Sequence, residues 1–581
     1  MAPAALQAMD LTSLRAVLAE LRPELLPSRF EKAQQPDGHS LQLGFRTLQG
    51  RIWLELSWLA EAPRLLAIEP PPRQGDGSTL AQQLQHGLGG LALVSLEQPG
   101  WERVVELGLA PRPGEAIQRW LVLELMGRHS NLFLLDEQRR VVAAARQVRQ
   151  QQSRLRPIGT GDPYSPPPPL SGQPPCRSES FESWQRQLSL LPLPLLKALQ
   201  SAYQGISPAL ALQLAGDEPG ASEALLAQPV AALSDQQWQA LWQRWCRWLE
   251  VLEQEGFRFS PGRCCSYRCW QEQPAAAALG SATGQLPINH ALAELHQRVL
   301  LERRLQQRRH QLRQRLEQLL QRERAQTQQQ QELLDQVESS DQLQQQADAL
   351  LCLAQPSRDQ VAEAQALYKR ARKLRRSVAA ITPRLEQHQQ RIEQLEASLT
   401  YLEQGSGETS PAELQHLQSL DDEIQAVMES QRPSRAAARA RQREQQAPQP
   451  LELHSPGGLR LQVGRNHRQN EWISLRQARR GDLWFHAQEC PGSHVVLKGS
   501  EGLAGDADLQ AAADLAAHFS RARGNSRVAV VMVPCDDLQR IAGAGPGTVR
   551  HRGGEVLWAD PGRAAALLAA TPPSLGAEPE P

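Results

Sequence analysis

Leucine or isoleucine recurs at every seventh position in two separate stretches of this chain. The first stretch has Leu305, Leu312 and Leu319 with Leu316 between them, and the second has Leu385, Ile392 and Leu399 with Leu395 and Leu402. Apolar residues at alternating intervals of four and three lie on one helix face and form the seam of a coiled coil. A looser, polar segment at about 336–360 separates the two stretches. We therefore predict one long antiparallel coiled-coil hairpin over residues 286–445.

Charge is balanced over the whole chain but segregated on this hairpin. Lys and Arg total 63, as do Asp and Glu, so no net charge draws the chain to nucleic acid. Residues 301–325 nevertheless hold eight Arg against three Glu, and residues 369–376 hold six Lys or Arg. Each run alone could be an ordinary solvated helix face. Two such runs on one hairpin favour contact with rRNA or tRNA.

The length of 581 residues predicts several domains, because one hydrophobic core rarely grows so large. We expect a multidomain α+β protein. A β-rich N-terminal domain at 1–175 ends in a proline-rich linker, and a helical region follows at 176–285. After the hairpin, a compact α+β domain at 446–563 precedes a disordered tail at 564–581. Gln-Pro opens a strand pair at Gln35 and again at Gln98, which indicates two related β-ribbons or a chance repeat of a common turn pair.

No apolar run approaches the length of a membrane span, and the first residues lack the order of regions that an export signal has. These features predict a cytoplasmic protein without a membrane partner. Cys264, Cys265 and Cys269 form a cluster without a matching second half of zinc-finger spacing, so structural thiols and a metal site both stay open.

Residues 482–497, DLWFHAQECPGSHVVL, place His486, Cys490 and His494 four residues apart around a Pro-Gly turn. Three interpretations are open: a metal site, a cysteine nucleophile with its base, or a turn whose donors bind phosphate or ribose. The donor-rich run GRNHRQN at 464–470 favours the third. The residues predicted to bind RNA are Arg465, Asn466, Gln469, Asn470, His486, Ser493 and His494.

Two further turns have the composition of binding loops. MGRHSN at 126–131 puts four hydrogen-bonding side chains between two strands, which suits either a structural polar turn or a binding loop. The turn Gly205–Pro208 could present backbone N–H groups to a phosphate, or could simply join two helices of a bundle.

Several of these segments together resemble one family, the NEMF/RqcH proteins of ribosome quality control, long called fibronectin-binding proteins in bacteria. The resemblance is collinear over nearly the whole chain. Its motifs are QPDGH (35–39), LEQPGWER (96–103), LELMGRHSNLFLLD (123–136), RLRPIGTGDPYSPPP (154–168), SPGGLRLQVGRNHRQNEWIS (455–474), DLWFHAQECPGSHVVLK (482–498), AAADLAAHFSRARGNSRVAV (511–530) and GPGTVRH (545–551).

The resemblance implies a translation factor that is not an enzyme and needs no cofactor or metal. Such a factor binds the large ribosomal subunit with a stalled peptidyl-tRNA and recruits charged tRNA, expected to be alanyl-tRNA, for an untemplated C-terminal tail. It also implies a small helper protein of the RqcP type. The N-terminal domain would be glycosylase-like without repair activity, because the chain begins Met1-Ala2-Pro3, and the helical region would be a helix-hairpin-helix unit that grips tRNA.

The residues that this resemblance implies for tRNA binding are Asp10, Glu102, Arg103, Arg128, His129 and Asn131. The family has an Asp-Arg pair where this chain has Glu102-Arg103. Glu moves the carboxylate about one methylene further from the backbone, which can disturb a bidentate contact. Two other classes of function remain as alternatives: a cell-surface fibronectin-binding adhesin, and an enzyme that acts on nucleic acid.

Overall fold

The structure is a computed structural model that describes residues 6–72, 78–151, 153, 155–262, 265–270, 287–353, 355, 357–404, 409–429, 448–541 and 545–570. The chain forms two compact units, residues 1–300 and 301–581. Its architecture is mixed α+β, with a large β-sheet in the first unit, long helices, and a β-rich domain at the C-terminal end. Cys264, part of the predicted cysteine cluster, lies outside the described residues.

One nine-stranded antiparallel sheet dominates the first unit, in the order β4-β3-β2-β1-β5-β6-β7-β8-β9. The helices Leu11–Leu25 (α1) and Thr79–Leu88 (α2) precede its two halves. The strands are Ser28–Asp37 (β1), Ser40–Arg46 (β2), Arg51–Ser57 (β3), Arg64–Ile68 (β4), Ala92–Glu97 (β5), Val104–Ala110 (β6), Arg119–Glu124 (β7), Asn131–Leu135 (β8) and Val141–Ala144 (β9). Each half is a helix followed by an antiparallel meander, and each Gln-Pro pair lies where the first strand of its meander ends. The two ribbons predicted from the sequence are therefore topologically equivalent.

The alternating apolar residues of the strands face a core that α1 and α2 cover. Leu14, Val17 and Leu21 of α1 pack there against strand residues such as Leu43 and Leu107. Ile288 and Leu292 belong to the same core. The first part of the helix that begins at Pro287 therefore belongs to the first unit, although the sequence predicted a domain boundary at 285–286.

Five helices form a bundle in the predicted helical region. They are Phe181–Leu188 (α3), Leu195–Ala202 (α4), Pro208–Ala215 (α5), Pro219–Ala227 (α6) and Asp235–Gln254 (α7). Tryptophans of α7, among them Trp238, Trp245 and Trp248, fill the centre with Trp184. The short strands Ser260–Pro261 (β10) and Tyr267–Arg268 (β11) pair after the bundle.

The heptad stretches lie on two long helices, Pro287–Leu351 (α8) and Arg358–Glu403 (α9). Leu305, Leu312 and Leu316 share an apolar cluster with Ile392 and Leu395, as the spacing predicts. That this seam forms a supercoil stays a prediction. A third helix, Pro411–Glu429 (α10), was not predicted, and its Leu417, Leu420 and Ile424 complete the same cluster.

A six-stranded sheet forms the C-terminal domain, in the order β12-β13-β15-β14-β16-β19. Its strands are Leu451–His454 (β12), Arg460–Val463 (β13), Leu483–Ala487 (β14), Val495–Leu497 (β15), Val528–Pro534 (β16) and Glu555–Ala559 (β19). The helix Asp506–His518 covers one face. Segment 472–478 and a hairpin of Leu538–Arg540 (β17) with Val549–His551 (β18) cover part of the other face.

The last described element is the helix Pro561–Ala570, which continues beyond residue 564, where the disordered tail was predicted to begin. Ala564 is buried in the core of the C-terminal domain, and Leu567 and Leu568 pack against that core. The prediction of disorder is therefore wrong for residues 564–568. Residues 571–581 lie outside the described part of the chain.

Candidate nucleic-acid interface

Asp10 caps the N-terminus of α1 and is also tied to the helical bundle. Its Oδ1 accepts hydrogen bonds from the backbone N–H and the hydroxyl of Ser13, at 2.9 and 2.7 Å. Its Oδ2 accepts from the hydroxyl of Ser207 at 2.7 Å, and Ser207 in turn caps α5. Asp10 is only 4% exposed. The expectation that this carboxylate faces a bound tRNA is therefore wrong in this geometry, and its place is to position the elements around it.

The turn Gly205–Pro208 packs against the sheet domain. A Cβ at Gly205, where φ is +77°, would lie 2.8 Å from Leu11 and 3.0 Å from the ring of Trp101. Trp101 also packs against Trp248 of α7, with ring centroids 5.9 Å apart. The turn therefore joins two helices of the bundle and also packs against the sheet domain, a contact that the sequence did not predict.

Gln98 fixes the loop that carries Glu102 and Arg103. Nε2 of its side-chain amide lies 3.1, 3.0 and 2.7 Å from the carbonyl oxygens of Pro99, Gly100 and Glu102. Its carbonyl accepts a hydrogen bond from Nε of Arg15 at 2.9 Å, which links the loop to α1. The NH2 group of the Gln98 amide bonds the loop while its oxygen bonds Arg15, which explains why Gln precedes Pro here.

Glu102 and Arg103 are both half-buried and lie where β6 begins. Oε1 of Glu102 accepts from the backbone N–H of Leu170 at 3.1 Å. Burial raises the pKa of Glu102, opposed by that hydrogen bond and by the charge of Arg103. The longer Glu side chain therefore has a structural use here, since it reaches the proline-rich segment that follows the sheet.

The loop 126–131 divides into two exposed and two buried polar side chains. Arg128 and His129 are exposed, and Nε of Arg128 donates to His129 at 3.0 Å. Asn131 is buried, and it bonds both the N–H and the carbonyl of Arg146. The expectation that Asn131 faces tRNA is therefore wrong in this geometry, because its amide is used to hold the loop. The backbone carbonyl of Arg103 accepts from the N–H of Leu125, so Arg103 and this loop lie at the same end of the strands of the sheet.

A buried ion pair near this end of the strands was missed in the sequence. Glu124 is 1% exposed, and its two oxygens accept from Arg156 while Tyr164 donates to one of them at 2.9 Å. Burial and the Glu124 charge raise the pKa of Tyr164. The signal was available in the sequence as a charged Glu within the apolar strand WLVLEL, because a buried carboxylate needs a cationic partner.

In the second unit, the donors predicted to bind RNA are used inside the protein. Arg465 forms an ion pair with Glu413 at 2.9 Å, and Asn466 caps the helix His467–Glu471. Gln469 donates to the carbonyl of Gln449, and Asn470 donates to the hydroxyl of Tyr401 at 2.9 Å. The expectation that this loop offers an open row of donors is therefore wrong. Two of its partners, Tyr401 and Glu413, come from α9 and α10, which are remote in sequence.

The stretch 482–497 forms a cluster of aromatic rings. His486 stacks on Trp484 with ring centroids 5.5 Å apart, and His494 packs edge-on against both rings. His494 is buried and its Nδ1 pairs with the Ser474 hydroxyl at 2.8 Å. Burial lowers the pKa of His486 to about 4 and that of His494 well below its usual value, so both rings are neutral at pH 7.

Ser493 and His494 therefore do not face solvent, contrary to the expectation of an open turn. Ser493 is 1% exposed and its backbone N–H donates to the carbonyl of Phe519. His486 is the only predicted RNA-binding side chain of this stretch that keeps a half-buried rather than buried position. Among the residues that the structure describes, no group of three or more His, Cys, Asp or Glu side chains is arranged to hold a metal ion.

The two cationic runs of the hairpin differ in their partners. In the first run five arginines form ion pairs with acidic residues of α9 and α10: Arg308 and Arg315 with Asp421, Arg309 with Glu413, Arg313 with Glu403, and Arg324 with Glu396. These charges are largely neutralised within the unit. The expectation that this run offers free charge to RNA is therefore wrong for these five arginines.

In the second run all six cations are exposed. They are Lys369, Arg370, Arg372, Lys373, Arg375 and Arg376. Arg375 forms an ion pair with Asp341. We call these six residues the α9 cationic face. Among the described residues, it is a cluster of positive charge that intramolecular ion pairs leave mostly available.

No helix in the described ranges has both the length and the apolar character that crossing a bilayer requires.

Family models match most of the chain. Residues 10–360 and 354–443 match the model of the NFACT N-terminal and middle domains. Residues 453–553 match the model of the NFACT protein RNA binding domain.

Curated relatives match over nearly their full length. A protein named Rqc2 homolog RqcH from Streptococcus pneumoniae (strain ATCC BAA-255 / R6) is 26% identical over 580 residues, which covers 94% of this chain and 97% of the relative. The protein of the same name from Bacillus subtilis (strain 168) is 24% identical over 579 residues, covering 93% and 96%.

Solved structures match each half separately. The C-terminal part of the fibronectin/fibrinogen-binding protein from Streptococcus suis is 28% identical, with a TM-score of 0.36, and covers 45% of this chain and 99% of that one. The N-terminal part of the same protein is 22% identical, with a TM-score of 0.38, and covers 49% and 98%.

Proposed function

The chain belongs to the NFACT family, that of the NEMF/RqcH factors of ribosome quality control, and from this premise we propose that it binds large ribosomal subunits that hold a stalled peptidyl-tRNA. There it recruits charged tRNA, alanyl-tRNA in particular, with the aid of a small RqcP-type helper, and the nascent chain gains an untemplated C-terminal tail. The ribosome forms the peptide bonds, so this cytoplasmic chain acts without a catalytic site, metal or cofactor of its own.

The observation that best supports subunit binding is the α9 cationic face. Its six exposed cations lie within eight consecutive residues, about two turns of a long helix, so positive charge is concentrated on this segment. Lys and Arg that contact phosphates release condensed counterions, which makes the affinity fall as salt rises. A helix of this kind suits the rRNA backbone, because phosphate contacts need charge and spacing but no sequence readout.

Co-sedimentation with purified large subunits over a series of salt concentrations tests this proposal. The double variant Arg370→Gln/Lys373→Gln removes two cations of the face. The matched control Arg313→Gln/Arg324→Gln removes two that already pair with Glu403 and Glu396. We expect the salt slope to fall by about 0.7–0.9 for each lost phosphate contact in the first variant and to stay unchanged in the control. Protein that stays in ribosome-free fractions at low salt would overturn the proposal.

Support for tRNA binding comes from one end of the strands of the first unit's sheet. Arg128 and His129 are exposed there and Arg103 is half-buried, while the buried side chains of Asp10 and Asn131 hold the elements around them in place. Cations on a preformed surface can contact the backbone of a folded RNA. We assign direct contact to Arg103, Arg128 and His129, and positioning to Asp10 and Asn131. We also propose that the sheet is glycosylase-like and that α4 and α5 form the helix-hairpin-helix.

Sequencing the RNA that copurifies with the full chain tests this assignment. We expect one tRNA species to dominate, and Arg103→Ala/Arg128→Ala to deplete it. Arg112→Ala is the control, because Arg112 is exposed beyond the opposite end of β6. Mass spectrometry of a stalled nascent chain would then show whether a tail is added and of which residue. Bound RNA without tRNA, or labelling of the protein on the surface of intact cells, would instead favour another function such as the adhesin.

A further inference from the structure

Among the residues that the structure describes, nothing covers part of one face of the C-terminal sheet. On the covered face, Val530, Leu557 and Ala559 pack with the helix Asp506–His518. Because side chains alternate along a strand, Val556 and Trp558 of β19 point to the other side. There the ring of Trp558 is 63% exposed and Val556 is 48% exposed. An exposed tryptophan on a sheet face is unusual, since burying that ring would be favourable.

The strand register shows what surrounds this ring. Trp558 pairs with Ala529 of β16, and the carbonyl of Ala529 accepts from the N–H of Gln488 at 2.9 Å. Ala529 therefore lies between Gln488 and Trp558, which are about 10 Å apart as two strand spacings require. The side chain between Gln488 and the indole ring is therefore a single methyl group. In the neighbouring row, His486 pairs with Val531, and Val531 pairs with Val556.

The charge of this face suits a polyanion. Arg527 is exposed, and by alternation it lies on the same side as Ala529. Glu555 alternates to the opposite side, and Oδ1 of Asp560 accepts from the N–H of Gly562 at 2.8 Å. The neutral His486 ring adds a second aromatic surface without a charge.

From this arrangement we infer that the uncovered face, consisting of Gln488, Arg527, Ala529, Val556 and Trp558, binds an unpaired RNA base by stacking it on Trp558. The base lies over Ala529, the amide of Gln488 bonds its edge, and Arg527 contacts the adjoining phosphate. Stacking of this kind suits loops and single strands, because bases within a helix have no free face. The inference rests on the proposed function and names the form of RNA that the C-terminal domain recognises.

The strand that carries the ring is held in place without help from a ligand. The carbonyl of Trp558 accepts a hydrogen bond from the side-chain amide of Gln510 at 3.1 Å. Five successive residue pairs join β19 to β16, from Val528 with Ala559 to Met532 with Glu555. Removing the exposed ring therefore leaves the fold intact, so that a loss of binding reports on the face itself.

Fluorescence anisotropy of the full chain with short labelled RNAs tests the inference. The probes are a single-stranded oligoadenylate and an RNA duplex of the same length. We expect Trp558→Ala to weaken binding of the single strand by about 5- to 150-fold and to leave duplex binding unchanged. Trp558→Phe keeps a ring and should retain most of the affinity. Leu503→Ala removes another exposed apolar side chain of the same unit and should have no effect.

The outcomes separate the inference from the proposed function. If the unaltered chain binds large subunits and oligoadenylate, and Trp558→Ala binds oligoadenylate equally well, the inference fails while the proposed function stands. If Trp558→Ala weakens subunit binding but not RNA binding, the face contacts a protein and the inference also fails. If the unaltered chain binds neither subunits nor RNA, both fail.

Discussion

The hydroxyl of Ser207 donates a 2.7 Å hydrogen bond to Oδ2 of Asp10, although 197 positions separate the two residues in the chain. Each residue caps a helix, Asp10 at α1 and Ser207 at α5. One contact therefore links the N-termini of the two helices that join the sheet domain to the bundle. The buried carboxylate of Asp10 makes this contact a determinant of how the sheet domain and the helical bundle are assembled.

Asp10→Ala should destabilise the first unit by about 2–4 kcal/mol, because it removes a helix cap and leaves the buried Ser13 hydroxyl and the half-buried Ser207 hydroxyl short of a partner. Asp10→Asn retains an acceptor for Ser13 and should cost much less. Hydrogen exchange of the amides in α1 and α5 measures the effect. Equal exchange in the two variants would contradict a capping role.

Glu102→Asp should release the N–H of Leu170, since the shorter carboxylate does not reach it. A lost hydrogen bond of this kind is worth about 1 kcal/mol, which corresponds to about fivefold faster exchange of the Leu170 amide. Glu102→Gln keeps the length and an acceptor oxygen, and it should leave the exchange rate near that of the unaltered chain. Unchanged protection in Glu102→Asp would show that this contact does not hold the segment.

His296→Leu should reduce the acid sensitivity of the first unit. His296 is 1% exposed and its ring nitrogens have no hydrogen-bond partner among the described residues. Burial, and next the charge of Arg64, lower the pKa of His296 from 6.5 to about 3. Between these values the unfolded chain binds a proton that the folded chain excludes, so stability falls as pH falls below about 6.5.

The loss is at most about 1.4 kcal/mol for each pH unit. Melting temperatures at pH 7.5 and pH 5 should therefore differ less in His296→Leu than in the unaltered chain. His310→Leu, at an exposed position of the same long helix, serves as the control. If both variants respond to pH as the unaltered chain does, His296 is not the group responsible.

Glu413→Ala should destabilise the second unit by about 3 kcal/mol. Glu413 is buried and pairs with both Arg309 and Arg465, at 2.8 and 2.9 Å. Burial raises the pKa of Glu413, but the hydrogen bond from Arg309 and the charge of Arg465 outweigh burial. The pKa is therefore below its ordinary value, and the carboxylate is ionised. Its removal leaves two cations without their counter-charge. Thermal unfolding measures the loss of stability. Glu413→Gln keeps two polar atoms, so its stability should lie between that of Glu413→Ala and that of the unaltered chain.

Arg465→Ala gives a complementary result. If Arg465 acts through Glu413 instead of contacting RNA, the variant should lose stability while the salt slope of subunit binding stays unchanged. If the salt slope of subunit binding changes while stability does not, Arg465 contacts RNA directly, as the sequence suggested.

Heptad spacing was sufficient to locate the two long helices. The stretches predicted from Leu305 to Leu319 and from Leu385 to Leu402 lie on Pro287–Leu351 and Arg358–Glu403. These patterns succeed because each records which side of one element is buried, a property that local sequence contains.

The partners of polar side chains could not be predicted in the same way. Asn470 looks like a free donor in its loop, but Tyr401 lies against it from a different helix. The first arginine run looks like a surface for RNA, but Asp421 and Glu413 neutralise much of it. Composition tells which groups can form hydrogen bonds, and only the tertiary fold decides whether they bond to the protein or to a ligand.

The amide of Gln98 has a thermodynamic consequence for recognition at the neighbouring Arg103. Fixing the backbone of one residue costs roughly 1–2 kcal/mol of conformational entropy. Because Gln98 ties down the carbonyls of Pro99, Gly100 and Glu102, this entropy is lost when the chain folds and not when a partner arrives. A partner that binds at Arg103 therefore meets a preorganised loop, and the free energy of its contacts goes into affinity.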